Sequence, residues 1–372
     1  MSQITTLKLH NFRCYQEAEL KNLEAGLVVL YGPNGAGKTN ILEALSLLVP
    51  GRGLRGAKMM EIQCQDSGQP WAVSASLQAP YGPVQLGTGL DAKTEKRVIR
   101  INGENARGQS ALAEHLAAVW LTPQMDRLFL DSSSHRRRFL DRLVFAFDPG
   151  HSGRVTRYEN AMRQRSKLLQ EGAKNSGADP SWLKGLESQM AETGVAIAAA
   201  RLEFVERLQA AVKKSDEEHF PQATLKATGT LEELLGNESA LAVEEMFAYQ
   251  LEQSRSRDEI TGGAATGPHK SDLQVVYTAK DMPADQCSTG EQKALLIGIT
   301  LAHARLIVAE RGRAPLLLLD EVAAHLDENR RAALYSILKE LGGQAWLTGT
   351  DKSLFDQIED GQFFEIKDAQ VY

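Results

Sequence analysis

The order of apolar and polar residues divides the chain into three stretches. Ile4-Thr5-Thr6-Leu7-Lys8-Leu9-His10 alternates with the two-residue period of a half-buried strand, and 15–20 repeats the pattern after a turn. The unbroken apolar run 27–31 predicts a strand buried on both faces, with a helix over 41–48 after it. Strand-like runs follow at 71–77, 84–90 and 97–101. The last is closed by the hairpin dipeptide Asn102-Gly103, and 118–121 adds a short buried strand. From Ser132 the period becomes helical and stays so past residue 250, interrupted at Asp148-Pro149-Gly150. A helix from Ser181 toward His219 carries Gly185 and Gly194, which predict a bend. Strands return at 273–277, 316–319, 345–348 and 363–366, with helices over 292–311 and 328–341. The pattern predicts an α/β fold with a mixed sheet. One domain, 1–131 and 259–372, is split by an inserted helical lobe, 132–258.

Length agrees with this division, since 372 residues exceed what one hydrophobic core usually supports. A content of 42% hydrophobic and 24% charged residues is that of an ordinary globular protein. The first twenty residues lack an apolar signal segment, and no stretch is expected to reach the length that crosses a bilayer. Cys14, Cys64 and Cys287 have no C-x-x-C spacing, which points to free thiols and a cytoplasmic location. A formal charge of −6 excludes indiscriminate nucleic-acid binding by the whole surface and turns attention to local patches. Residues 130–170 hold nine Arg or Lys, among them Arg136, Arg137 and Arg138, against four acids. Arg52, Arg55 and Lys58 form a second basic group. Both are candidate contacts to DNA phosphates; a solvated helix face is the competing reading of the first, and approach to a nucleotide that of Arg55.

The chemistry begins between the first buried strand and its helix. Gly32-Pro33-Asn34-Gly35-Ala36-Gly37-Lys38-Thr39 is a complete G-x-x-x-x-G-K-[ST] phosphate loop, followed by Asn40. Its glycines let backbone N–H groups turn toward phosphate oxygens, and the helix adds its positive end. Lys38 is expected at the terminal phosphates of ATP, and Thr39 on Mg²⁺. Far along the chain, Leu316-Leu317-Leu318-Leu319-Asp320-Glu321 is a core strand ending in two acids. Strand carboxyl ends face the ligand crevice of a parallel sheet. Asp320 is therefore the second candidate metal group, and Glu321 the candidate to orient an attacking water.

Cys287-Ser288-Thr289-Gly290-Glu291-Gln292-Lys293 resembles the ABC-type signature, keeping its serine and second glycine as Ser288 and Gly290. Ala324-His325-Leu326-Asp327 resembles the D-loop. The order of phosphate loop, helical insertion, signature and acidic pair is that of the SMC/Rad50-like branch. Asn11-Phe12-Arg13-Cys14-Tyr15, Arg137–Asp141 and Gly267-Pro268-His269-Lys270-Ser271-Asp272-Leu273 make the chain resemble the RecF family. The resemblance implies an ABC-type ATPase head that closes as an ATP-dependent homodimer, each signature meeting the nucleotide of the other subunit. It further implies a weak, DNA-dependent ATPase acting as a clamp at gapped or junction DNA, assisting recombinase loading with RecR and RecO partners. Gln124 stands where a Q-loop glutamine would touch nucleotide and metal, and Asp327 in the D-loop joins the nucleotide set. His269 and Lys270 are placed near the ATPase interface without a chemical role. ABC proteins usually carry a histidine after the last core strand; here the run is Leu347-Thr348-Gly349-Thr350-Asp351, and Thr350 is the substitute candidate. That departure, the imperfect signature and the long helical insertion weigh against a transporter's nucleotide-binding subunit. An ATP-switched structural DNA protein with negligible turnover is the other alternative.

Overall fold

The computed structural model describes residues 3–64, 68–79, 82–174, 178–214 and 218–372. The chain forms two compact units. The first comprises Met1–Asp126, Ser215–Pro221 and Thr289–Tyr372; the second comprises Arg127–Lys214 and Gln222–Ser288.

Two sheets build the first unit. One has the order Gln370–Val371, Gly361–Lys367, Gly26–Tyr31, Gln344–Gly349, Leu316–Leu319, Ala118–Leu121. Its neighbours are all parallel except the terminal hairpin of Gly361–Lys367 with Gln370–Val371. Burial on both faces explains why Leu316–Leu319 is four leucines without alternation. The other sheet is antiparallel, ordered Tyr15–Leu20, Gln3–Phe12, Ala72–Ala79, Gly82–Leu90, Arg97–Ile101, Glu104–Asn105. Its strand Ala72–Ala79 alternates buried and less buried positions because only one face meets the core. Ile41, Leu42 and Leu45 of helix Lys38–Ser46 share a core with Leu7, Val73 and Leu77 of this sheet and Val28, Leu318 and Trp346 of the parallel one. The buried Gln344 side chain ties the sheets: it accepts from the Ile4 N–H (2.9 Å) and donates to the Ile4 and Glu24 carbonyls. Helix Thr289–Arg311 is the one described helix apolar and long enough to cross a bilayer, contrary to the expectation that none would be, and 67% of its apolar window is buried.

The second unit departs from the expected helical lobe. Helices Ser133–Phe145, His151–Lys174, Pro180–Lys213, Thr230–Leu235, Ala240–Gln253 and Arg255–Thr261 are joined by a three-stranded antiparallel sheet. That sheet has the order Met282–Pro283, Asp272–Tyr277, Ala223–Thr228. The strand expected near 273–277 thus pairs with Ala223–Thr228, with Leu273 opposite Ala227, and stays out of the large sheets. The boundary drawn at 258/259 falls at 288/289 for this reason. The two longest helices run antiparallel, Arg165 meeting Glu187 and Tyr158 lying beside Gly194. Pro180–Lys213 is continuous through Gly185 and Gly194 and ends before 215–217, which lie outside the described residues. Gly194 serves close packing: a Cβ there would sit 2.9 Å from Phe247 and 3.2 Å from Tyr158. His269 lies under the same ring. Its Nε2–H donates to the Ala264 carbonyl (2.9 Å), which leaves Nδ1 to accept from the Tyr158 hydroxyl (2.8 Å). Burial pushes the imidazole pKa down, so the ring is held neutral.

Candidate nucleotide site

The phosphate loop is shaped by contacts that only glycine permits. Gly32 leaves strand Gly26–Tyr31 at φ +144°, where a Cβ would lie 2.1 Å from the Ile366 carbonyl oxygen. Gly37 has φ +115°, and a Cβ there would meet the Tyr15 hydroxyl at 2.5 Å and Cys14 Sγ at 2.9 Å. Pro33, Asn34 and Gly35 are exposed between them, while Ala36 is buried. Helix Lys38–Ser46 starts at Gly37 with no side-chain cap, so its first-turn N–H groups face an incoming anion.

Lys38, 4% exposed, donates to the Gly32 (2.7 Å) and Pro33 (2.9 Å) carbonyls. Burial lowers its pKa, and the nearby charges of Glu321 and Asp320 oppose the shift. Thr39 brings the chain's two halves together: its hydroxyl lies 2.9 and 3.1 Å from the two Asp320 carboxylate oxygens, across 281 residues. Asp320 ends the central strand Leu316–Leu319 and is buried, which raises its pKa; Thr348 and Thr39 pull it back down. Glu321 follows at φ +54°, a left-handed conformation that costs a non-glycine residue of order 1 kcal/mol and is retained mainly at functional sites. Thr348, 1% exposed at the end of Gln344–Gly349, holds this corner. Its hydroxyl donates to Asp320 Oδ1 (2.8 Å) and accepts from the Glu321 N–H (2.8 Å). Thr350, the substitute expected from sequence, is exposed one residue beyond this strand.

Other residues secure the loop helix. Buried Glu43 receives Arg13 through both oxygens (2.8 and 2.6 Å) and Arg55 at 3.2 Å. Arg55 also donates to Oδ1 of Asn40 (3.0 Å), the residue after Thr39, while Arg52 is exposed on the same connection. Arg97 closes the opposite end. It donates to the Leu47 carbonyl at the helix C-cap, to Gly51 O (2.6 Å) and to Thr88 Oγ1 (2.8 Å), and burial lowers its pKa to about 10.

Gln124 is exposed in the turn Pro123–Arg127, just after Ala118–Leu121, the strand that pairs in parallel with Leu316–Leu319. It therefore shares the carboxyl edge with Asp320. Asp327 is exposed and caps helix Glu328–Glu340, accepting from the Arg330 N–H (2.9 Å), a local role the sequence did not disclose. Gly290 lies exposed in the first turn of Thr289–Arg311, and Ser288 is exposed immediately before that helix.

The basic cluster of the second unit is more internal than its charge suggests. Arg136 forms a bidentate pair with Asp272 (2.8 Å twice) and donates to the Phe129 and Asp131 carbonyls. Arg137 donates to Ser133 Oγ (2.9 Å) and the Ser271 carbonyl (2.7 Å). Arg165 is fully buried between Glu187 and Asp258. Arg136 and Arg137, expected to contact DNA, are half-buried and engaged by these partners, whereas Arg138, Arg157 and Arg163 are exposed. Arg136→Ala should cost about 2–3 kcal/mol of stability through its lost charge-assisted bonds. Arg138→Ala should stay within about 0.5 kcal/mol. Denaturant unfolding checks this, and equal losses for the two variants would return Arg136 to the surface class.

The family described as RecF/RecN/SMC N terminal domain matches residues 3–362. The DNA replication and repair protein RecF of Mesorhizobium japonicum is 50% identical over 96% of this chain and 94% of its own length. The chain belongs to the RecF family. The RecF protein of Brucella suis biovar 1 is 48% identical over 99% of this chain and 95% of its own. A solved structure of the recombination mediator protein RecF-ATP in the RecFOR pathway superposes with a TM-score of 0.87 at 25% identity, covering 100% of this chain and 97% of that one. An Smc head bound to the C-winged helix domain of ScpA shares the fold at TM-score 0.55 and 13% identity. Family membership agrees with the ATPase-head reading of the phosphate loop and acidic pair.

Proposed function

We propose that this chain is an ATP-controlled DNA-binding protein of replication and recombinational repair, working in the cytoplasm. The observation that carries the reading is the pairing of Thr39 with Asp320 at the carboxyl edge of the parallel sheet, beside Lys38 and Glu321. The loop N–H groups and the helix end bind the phosphates of ATP, and Lys38 transfers its bonds from loop carbonyls to the terminal phosphates.

The donor set fits Mg²⁺. Thr39 Oγ1 and Asp320 Oδ2 offer hard oxygens 3.1 Å apart, and adjacent ligands of an octahedron with ~2.1 Å bonds are separated by about that distance. Held there by Thr39 and Asp320, the ion would neutralise phosphate charge. Glu321 orients the attacking water, with Gln124 reaching toward the same edge. Slow hydrolysis then acts as a release.

Ser288 and Gly290, exposed around the head of a long helix, suit a γ-phosphate brought by a second copy. Two such contacts give an isologous homodimer holding two nucleotides, with Asp327 in the same loop system. Exposed Arg138 and Arg52, with Arg55 at the loop helix, supply contacts to DNA phosphates. The reading extends to RecR and RecO partners, in keeping with the RecFOR pathway named for the ATP-bound relative, and to a clamp at gapped or junction DNA that assists recombinase loading. Sedimentation velocity tests the reading. A monomer should become a dimer with ATP and Mg²⁺, and a gapped duplex should bind the ATP form more tightly. A sedimentation coefficient and DNA affinity both insensitive to ATP would contradict it.

A further inference from the structure

We propose that Thr348 is a positioning residue that couples the metal-side acid, Asp320, to the water-side acid, Glu321. The inference deepens the nucleotide reading above and rests on it. A hydroxyl has one proton to give and lone pairs to receive, and Thr348 uses both on functionally adjacent groups. The proton goes to Asp320 Oδ1 and the oxygen takes the Glu321 N–H, each at 2.8 Å.

The two bonds do different things. The first fixes the plane of the Asp320 carboxylate. Among the described residues, the hydroxyls of Thr39 and Thr348 bond that carboxylate. Thr39 is the one that metal coordination would engage. Thr348 belongs to a different strand and remains to hold Oδ1, which directs Oδ2 outward. The second bond pins the backbone of Glu321 in its left-handed turn at φ +54°, from which its side chain departs. Release of that N–H would let the peptide rotate and swing the Glu321 carboxylate off its line.

The location strengthens the assignment. Thr348 is in the strand Gln344–Gly349, one residue before its carboxyl end. The strand meets both acids through a hydroxyl buried inside the sheet. The strand is parallel to both Gly26–Tyr31, which feeds the phosphate loop, and Leu316–Leu319, which ends at Asp320. A small shift of either neighbour therefore changes the length of a Thr348 bond.

The test compares Thr348→Val, which keeps the shape and removes the hydroxyl, with Thr348→Ser, which keeps the hydroxyl. Thr348→Ala is a second hydroxyl-free variant with no added methyl to clash. ATP turnover, the affinity for a fluorescent ATP analogue in Mg²⁺, and thermal melting are measured on the full chain. Loss of a group that orients a metal ligand typically reduces activity about 10- to 100-fold. Val and Ala should show that loss in kcat with analogue affinity within about threefold of the parent, and Ser should recover most of the rate. Parental turnover in Val or Ala, or Ser as slow as Val, would overturn the proposal while leaving the nucleotide reading intact. A parent chain that binds no analogue would overturn that reading, and the proposal with it.

Discussion

Lys38→Met should stay monomeric at ATP concentrations that convert the parent fully to dimer. Lys38 is 4% exposed and its ammonium is already bonded to two loop carbonyls, so its position is fixed before any nucleotide arrives. Methionine fills the same channel with an apolar stem, preserving the loop while deleting the only cation that the phosphate-loop motif itself supplies. Charge-assisted hydrogen bonds contribute about 1.5–3 kcal/mol each, so losing two of them weakens ATP binding on the order of 100-fold or more. Binding of a fluorescent ATP analogue and sedimentation velocity read the two consequences separately. A variant that binds and dimerises like the parent would remove Lys38 from its assigned role.

Ser288→Arg should produce the complementary failure. Ser288 is exposed immediately before helix Thr289–Arg311 and is not part of the phosphate loop, so nucleotide should still bind each subunit, with affinity within about threefold of the parent. Arginine adds a long side chain where the proposed partner's γ-phosphate must approach closely enough for backbone N–H contact. The dimer fraction at a fixed ATP concentration should fall by about tenfold or more, as steric exclusion at an interface centre commonly does. A fold change is excluded by a melting temperature equal to the parent's. Unchanged dimerisation would place the signature outside the interface.

How far the sequence disclosed this molecule depended on the range of the interactions involved. The phosphate loop and the leucine strand ending in Asp320-Glu321 were legible because each is a contiguous segment whose pattern and chemistry coincide. Their meeting through Thr39 was inferable only by treating the motifs as halves of one site. Thr348 was passed over because nothing in Leu347-Thr348-Gly349 marks a hydroxyl that reaches across 28 residues to Asp320, and attention fell on exposed Thr350 instead. Arg97 was hidden for the same reason: its partners lie up to 50 residues away, at the end of the loop helix.

Charge counting gave no sign of the ion-pair partner of Arg136. A run of arginines on a helix looks like a solvent face, yet Asp272 sits 136 residues downstream and is brought beside it by the small antiparallel sheet. That sheet was itself obscured because Ala223–Thr228 is short and two of its three buried positions are alanines, so the helical period on either side dominated the reading. Gly194 shows the same limit from the other side. A glycine in a helix signals a weak point when only propensity is considered, and a close contact once Tyr158 and Phe247 are seen against it.

The central claim is that each active centre is assembled from two copies of the chain, one giving the phosphate loop and the other the signature. Mixing Lys38→Met with Ser288→Arg subunits tests it most directly, with ATPase activity and dimer fraction followed as the ratio is varied. The mixed dimer has one centre pairing an intact Lys38 with an intact Ser288, and one centre lacking both. The account predicts activity in the mixture above the sum of the two variants alone, peaking near equal proportions. Activity that never exceeds that sum, together with full dimerisation and turnover by Ser288→Arg alone, would contradict it.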